Sequence, residues 1–384
     1  MEIYKDKNKC YGCGACKSIC PKKAITFELN DKGFYYPIID KKKCINCGLC
    51  KKVCPIEKKL NRSNNQEIYA LKNRNNHVRQ NSSSGGFFNA ISEYIINKNG
   101  YVFGVKFDEN FKAIHFGTDK SEEIGGFRGS KYVQSDTLNT YNEVKMLLEK
   151  GKLILYSGTP CQIMGLKNFL FNKEYDNLIT IDNVCHGVPS PKIFEQHKQY
   201  LEDKYCSKIT DINFRYKTKN RTQNMKIKFQ NEKEYFKTNA DDKYYQLFQS
   251  DFILRDSCYT CKFSTMNRIS DITIGDFWDF KDFLGDFDDK KGVSLVLLNS
   301  EKAKNIFDNI KGNFEIKKST LEDCFQPNLK EPSKKNLKYE EFWQDYKKKG
   351  YIYVIKKYPQ LPLKIKIKKL IKKILIFLNL YSEE

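Results

Sequence analysis

Cys10-Tyr-Gly-Cys13-Gly-Ala-Cys16-Lys-Ser-Ile-Cys20-Pro21 is repeated further on as Cys44-Ile-Asn-Cys47-Gly-Leu-Cys50-Lys-Lys-Val-Cys54-Pro55. Both copies read C-x2-C-x2-C-x3-C-P, the spacing at which three close thiolates grip one [4Fe-4S] cubane while the fourth reaches over to the other. One cluster is therefore assigned to Cys10, Cys13, Cys16 and Cys54, and a second to Cys44, Cys47, Cys50 and Cys20. A tight loop must bring three sulfurs round one cluster face, and Gly12, Gly14 and Gly48 keep that backbone free of Cβ crowding. Pro21 and Pro55 then direct the chain out of each site. Zinc would want its ligands as two separated pairs, and a disulfide framework suits a short secreted chain. Two identical four-cysteine runs fit neither.

The chain has 384 residues, 40% of them hydrophobic, with 27 Phe and 24 Tyr, enough for this module and one large or two medium domains with a sizeable core. No signal peptide is expected, because the N-terminus is charged, and no run of about 18 apolar residues occurs. Fourteen cysteines then point to metal in a reducing cytoplasm. The formal charge of +21 ordinarily suggests nucleic acid or an anionic membrane. Each [4Fe-4S]2+ core with four thiolates carries −2, which brings the total to about +17 with two clusters and about +15 with three. Only 8 of the 68 basic residues are Arg, and no nucleic-acid signature occurs, so nucleic acid is not expected as a partner.

Residues 1–60 are read as the two-cluster domain, with short strands over Ala24–Leu29 and Phe34–Ile39 flanking the turn Asn30-Asp-Lys-Gly33. Polar residues 61–67 suit a linker. A larger domain is expected over 68–335, in parts 68–150 and 151–335. Arg79-Gln-Asn-Ser-Ser-Ser-Gly-Gly86 opens the apolar-periodic segment Phe87 to Ile96. A Ser/Gly loop at a helix N-terminus offers free amides and a positive dipole end to phosphate; an ordinary N-cap at Ser83 or Ser84 is the alternative. Strand patterns follow at Ile68–Leu71, Tyr101–Phe107, Lys152–Tyr156, Asn177–Asp182 and Val293–Leu298, with β-like alternation over 211–237. Helical patterns cover Tyr244–Leu254 and Glu301–Ile310. Lys131, in the glycine-rich stretch 125–135, is either a solvated loop charge or a cation set on a phosphate or reduced flavin, and neither a P-loop nor a Rossmann fingerprint is present.

Two consecutive strands deliver Cys161 and Cys185 just past the carboxyl edge, where open α/β sheets bind ligands. Cys258-Tyr-Thr-Cys261 adds two more thiols. Alone, C-x2-C is ambiguous among zinc, cluster and redox disulfide. Taken together, Cys161, Cys185, Cys258 and Cys261 favour a third [4Fe-4S] cluster, with zinc and unliganded or catalytic thiols as alternatives. Cys206 and Cys324 are read as plain buried thiols. His186 either orients a ligand or bonds to backbone. Residues 336–384 form a basic tail in which an amphipathic helix, 361–380, carries Leu363, Ile367, Leu370, Ile371, Ile374, Phe377 and Leu378 on one face and Lys364, Lys366, Lys368, Lys369, Lys372 and Lys373 on the other. Such a helix lies on an anionic membrane surface or docks on its own domain.

Ser83-Ser-Gly-Gly86, Gly129-Ser-Lys-Tyr-Val-Gln-Ser135, Ser157-Gly-Thr-Pro-Cys-Gln162, Cys185-His-Gly187, Cys258-x2-Cys261 and Asp271-Ile-Thr-Ile-Gly-Asp-Phe-Trp278 resemble the beta-subunit family of coenzyme F420 hydrogenases and dehydrogenases, over about 68 to 330. The resemblance implies an α+β or α/β fold in which a bacterial-type ferredoxin module joins a mixed-sheet flavin and iron–sulfur domain. It also implies an FAD surrounded by Ser83, Ser84, Gly85, Gly86, Lys131, Gly158 and Thr159, and a cluster on the four later cysteines. The activity implied is an oxidoreductase that passes electrons between a two-electron carrier, a deazaflavin or another small molecule, and ferredoxin-type clusters or a redox partner protein. A role in polysaccharide biosynthesis, and placement in the cytoplasm or at the inner membrane face, go with that reading. A flavin-free electron-transfer protein serving a partner enzyme is the competing expectation. No acid/base constellation marks catalytic residues.

Overall fold

A computed structural model describes residues 2–57, 66–218 and 221–358. The expected helix 361–380 and residues 61–65 of the expected linker lie outside the described residues. The ferredoxin-type module is a hairpin of β1 (Ile25–Leu29) and β2 (Tyr35–Ile39), antiparallel with Ile25 opposite Ile39. It is flanked by two one-turn helices, Ala15–Ser18 and Leu49–Lys52. Each of those helices is entered through a left-handed glycine, Gly14 at φ 81° and Gly48 at φ 77°, a conformation that a Cβ would strain.

The large sheet draws on β3 (Glu67–Asn73), β4 (Tyr101–Phe107), β5 (Ala113–Thr118), β6 (Ile154–Gly158) and β7 (Leu178–Asn183). A separate antiparallel sheet follows, from β8 (Ile209–Thr218), β9 (Arg221–Phe229) and β10 (Glu234–Thr238). The chain then re-enters the large sheet as β11 (Ile272–Asp276), β12 (Ser294–Leu298) and β13 (Phe314–Ser319). Among the described residues the large sheet has eight strands in the order β13-β3-β12-β11-β7-β6-β4-β5. Its centre, β4, β6, β7 and β11, is parallel, and antiparallel strands flank it on both sides. This is the mixed-sheet architecture expected from the sequence.

Both faces of the sheet are covered, so its strands read as apolar runs rather than alternations. Phe87–Asn97 and Glu301–Ile310 bury Phe87, Ile91, Ile95, Ala303 and Phe307 on one face. Thr140–Glu149 and Pro160–Phe169 bury Tyr141, Val144, Ile163 and Leu166 on the other. Every residue of β12 is buried. The small sheet packs with Pro191–Tyr205, Lys243–Gln249 and the helical run Tyr339–Lys357 into an aromatic core. That last run, broken at Gly350, buries Tyr339, Phe342, Trp343 and Tyr351, so the packed unit continues beyond 335. The helix expected over Tyr244–Leu254 stops at Gln249. Asp251 takes a left-handed φ of 60° and Leu254 bridges to Pro189, a turn that carries the chain toward Cys258.

Candidate functional site

Within each set of four cysteines considered from the sequence, the thiols act on one another's ionisation. Burial holds the Cys16 thiol well above its ordinary range, and the neighbouring thiols that reinforce the shift include Cys13, Cys10 and Cys54. Around Cys50 burial acts first, joined by Cys47, Cys20 and Cys44. Burial likewise raises Cys258, with Cys185, Cys261 and Cys161 adding to it, and pushes Cys161 up to about 12. Crowded thiols that resist ionisation alone ionise when a cation shares their charge, and an all-sulfur donor set is soft enough for iron–sulfur chemistry. The quartet residues therefore fit a cubane. Cys20, Cys44, Cys47 and Cys50 also line a small pocket walled by Ile25, Ile39 and Leu49. Among the described residues no three His, Cys, Asp or Glu side chains close in tightly enough for a single metal ion; the sulfurs round a four-iron cluster stand further apart than those round one ion.

Local bonds set each thiol. Thr159 caps the helix Pro160–Phe169, with Gln162 Oε1 accepting from Thr159 N at 2.9 Å. Cys161 thus sits in the first turn of a ten-residue helix, where the dipole favours thiolate. Cys258 Sγ accepts from the Val188 amide at 3.4 Å and Cys20 Sγ from the Ala24 amide at 3.3 Å. The ferredoxin-type module is seated on this helix: Tyr141 Oη lies 2.8 Å from both the Cys13 and Gln162 carbonyls. Asn168 Nδ2 donates to Val53 O at 3.2 Å, and Lys262 Nζ to Pro55 O at 2.6 Å. A Cβ on Gly12 would lie 2.3 Å from Gln134 Nε2. That glycine is thus required by the seating as well as by its φ of 67°. Cys161 is among the thiols that raise Cys13, so the first and third quartets are neighbours.

At the carboxyl edge of β4, β6, β7 and β11 lies a cavity of about 620 Å³, within the roughly 300–1,000 Å³ of cofactor-sized sites. Ser83, Ser84, Gly86, Lys131, Gly158 and Thr159 line it, and so does Cys185 of the third quartet. Gly85 does not; its backbone is pressed between Leu71 and Ser294. Neither Ser83 nor Ser84 is an N-cap. Ser83 Oγ accepts from the Ser130 amide at 2.7 Å, Ser84 Oγ donates to Val293 O at 2.7 Å, and Gly86 holds the cap position of Phe87–Asn97 without a side-chain cap. The helix N-terminus therefore faces the cavity with its dipole available to an anion. Lys131 Nζ donates to the Gly126 and Arg128 carbonyls, and burial pushes its ammonium down to about 7.

Arg215, buried in the wall, donates to Asp276, Tyr132 and Ser83 O; its position in β8, on a separate sheet, carries no local motif that could have marked it. His186 Nε2 is 2.8 Å from Asp251 and its Nδ1 3.3 Å from Asn328. His186 and Asn328 line the cavity, while Asp251 holds the ring from behind the wall. Cys324 is buried as expected, but Cys206 is exposed, because it ends the helix Pro191–Tyr205 in a left-handed turn at φ 50°. Among the described residues no helix is long and apolar enough to cross a membrane.

Residues 151–323 match the family described as the C terminus of the coenzyme F420 hydrogenase/dehydrogenase beta subunit. Residues 9–58 match a 4Fe-4S dicluster domain, and 36–84 match a second description of that type. The chain is 24% identical over 220 residues to one of the subunits of the F(420)H(2) dehydrogenase of Methanosarcina mazei, spanning 54% of this chain and 59% of that one. It is 42% identical over 36 residues to an uncharacterised ferredoxin of Methanocaldococcus jannaschii, 9% of this chain and 47% of that one. A chain of the F420-reducing [NiFe] hydrogenase complex from Methanosarcina barkeri superposes with a TM-score of 0.46 at 15% identity, covering 77% of this chain and 91% of that one. The chain thus joins a 4Fe-4S dicluster domain to a domain that matches the C terminus of the coenzyme F420 hydrogenase/dehydrogenase beta subunit, and it spans only 59% of the length of the dehydrogenase subunit it resembles.

Proposed function

We propose that this chain is an iron–sulfur flavoprotein that moves electrons between a two-electron carrier at the cavity and a one-electron protein partner at the far end of the ferredoxin-type module. When bound, a flavin supplies exchange between hydride and single electrons, and [4Fe-4S] clusters supply one-electron relay. The observation that carries this reading is the position of the third quartet: Cys185 lines the cavity, while Cys161 borders Cys13 of the first quartet. Beyond it, Cys16 of the first quartet feels Cys50 of the second, whose Cys47 is exposed.

The residues divide the work. The uncapped N-terminus at Gly86, with the Ser83 loop pinned by Ser130, suits the phosphates of a flavin nucleotide. Phe88, Phe127 and Val184 supply apolar walls that exclude water from a ring system. At the other end Lys22, Lys43 and Lys51, all exposed, flank ligands of the second quartet. That rim suits an acidic electron carrier. The test is the iron, sulfide and flavin content of anaerobically purified protein beside a Cys258→Ala variant. About twelve irons and one flavin, falling to about eight irons in the variant, are expected. Eight irons in both without flavin would leave only a ferredoxin joined to a binding domain.

A further inference from the structure

Four arginines are buried among the described residues: Arg79, Arg215, Arg255 and Arg268. Three of them meet an aspartate, in the pairs Arg79 with Asp289, Arg215 with Asp276 and Arg268 with Asp182. Arg255 is the most buried, at 0% exposure, and has no carboxylate among the described residues. Its Nε donates to the Cys10 carbonyl at 2.6 Å and its Nη1 to Gln134 Oε1 at 3.1 Å. Its Nη2 meets no partner among the described residues. The guanidinium lies over the rings of Tyr36 at 4.1 Å and Phe34 at 5.6 Å, and a Cβ on Gly12 would touch its Nη1 at 3.0 Å. It is therefore packed against the loop that carries Cys10 and Cys13.

The backbone of the same residue belongs to the third quartet. Arg255 N donates to Val188 O at 3.0 Å, and the Cys258 amide donates to Arg255 O at 2.8 Å. A full positive charge thus stands, dry and unpaired by any acid among the described residues, between two groups of four thiols. Neutral carbonyls and ring faces do not offset the loss of water around a guanidinium; a buried charge needs an opposite charge near it. Asp256, the next residue, is engaged elsewhere, with Lys32 and Tyr339. The negative charge that remains is that of the thiolate quartets themselves, which Arg255 meets at the Cys10 carbonyl on one side and at the Cys258 amide on the other.

We infer that Arg255 is the internal counter-charge of the first and third quartets, and that it sets the reduction potential of the clusters they hold. This rests on the reading of those quartets as cluster ligands. Taking up one electron makes a cluster more negative by one charge, so a fixed cation beside it favours the reduced form. Arg255 is a positioning residue here: it holds charge at the junction where an electron passes between the two quartets, and touches no substrate.

The test is an EPR-monitored redox titration of the full-length holoprotein, comparing wild type with Arg255→Lys, Arg255→Gln and Gln134→Glu, each with its iron content measured. Gln134→Glu keeps the guanidinium and its hydrogen bonds but sets an isosteric carboxylate against it. Arg255→Gln and Gln134→Glu should each lower the midpoint of at least one cluster, cutting its reduced-to-oxidised ratio at fixed potential about tenfold, which is 59 mV for one electron. Arg255→Lys should stay near wild type. Unchanged midpoints in the two charge-altering variants at full iron content would overturn the inference, as would an equal shift in Arg255→Lys. If Arg255→Gln loses iron, Gln134→Glu decides alone. A wild type with only eight irons would sink the third quartet's role, while the first quartet's midpoint would still report on Arg255.

Discussion

Removing one hydroxyl should loosen the ferredoxin-type module from the domain that carries the third quartet. Tyr141 is fully buried, and its Oη lies 2.8 Å from both the Cys13 and Gln162 carbonyls. It has one proton for two acceptors, so Tyr141→Phe removes about one net hydrogen bond, about 0.5–1.5 kcal/mol. Leaving the second carbonyl dry raises the cost toward ~2 kcal/mol. Thr137 Oγ1, at 3.5 Å from Cys13 O, recovers only a little of this. A loss of about 1–2 kcal/mol corresponds to a fall of roughly 1–3 °C in apparent Tm at fixed scan rate.

The same loss raises the population of the locally opened module about 5–30-fold. Iron release from the first quartet to a chelator should accelerate by that factor. Tyr156→Phe is the control, since its hydroxyl meets Thr140 at 3.0 Å and not the module. It should lower Tm without speeding iron release. Unchanged iron release in Tyr141→Phe, or equal acceleration in Tyr156→Phe, would refute the claim that this hydroxyl fastens the two quartets together.

His115 is buried, and that burial depresses its imidazolium to about 4. The unfolded chain then takes up a proton below about pH 6.5 that the folded chain refuses, so stability is full above 6.5 and falls as pH drops toward 4. Between pH 6.5 and 5 the loss is about 2 kcal/mol, and denaturant titrations of His115→Gln should lack that part of the slope. Lys131→Met removes the ammonium that ties down the Gly126 and Arg128 carbonyls at the cavity. On the proposed flavin reading, FAD affinity, measured by titrating FAD into the purified protein, should fall about tenfold; unchanged affinity would make Lys131 a loop tie only. Electron transfer to an acidic carrier should slow as ionic strength rises, with a shallower dependence in a Lys43→Glu, Lys51→Glu double variant. A rate indifferent to salt would remove the lysine rim from the docking surface.

The two cysteine runs were legible because, in this ferredoxin-type spacing, three of the four ligands of each cluster lie within one short loop. Cys10, Cys13 and Cys16 must therefore be close in sequence, and the glycines between them are visible there too. The strand-then-cysteine pattern at Cys161 and Cys185 was legible for a similar reason: a parallel strand, its carboxyl edge and the following helix are contiguous. The Ser83 loop announced itself by composition, but its serines spend their hydroxyls on Ser130 and Val293 rather than on a cap, a choice made by residues 47 and 209 positions away.

What lay beyond the sequence is what arises between elements. Arg255 reads there as an ordinary residue before C-x2-C. Only the seating of the module over it removes its water and sets its charge between two quartets. Arg215, Tyr141 and the aromatic helical run Tyr339–Lys357 are likewise defined by partners on other elements. Local spacing therefore determined which residues stand ready for iron–sulfur chemistry. Long-range packing decided the order in which its parts touch, because burial and charge compensation depend on what the folded chain brings together.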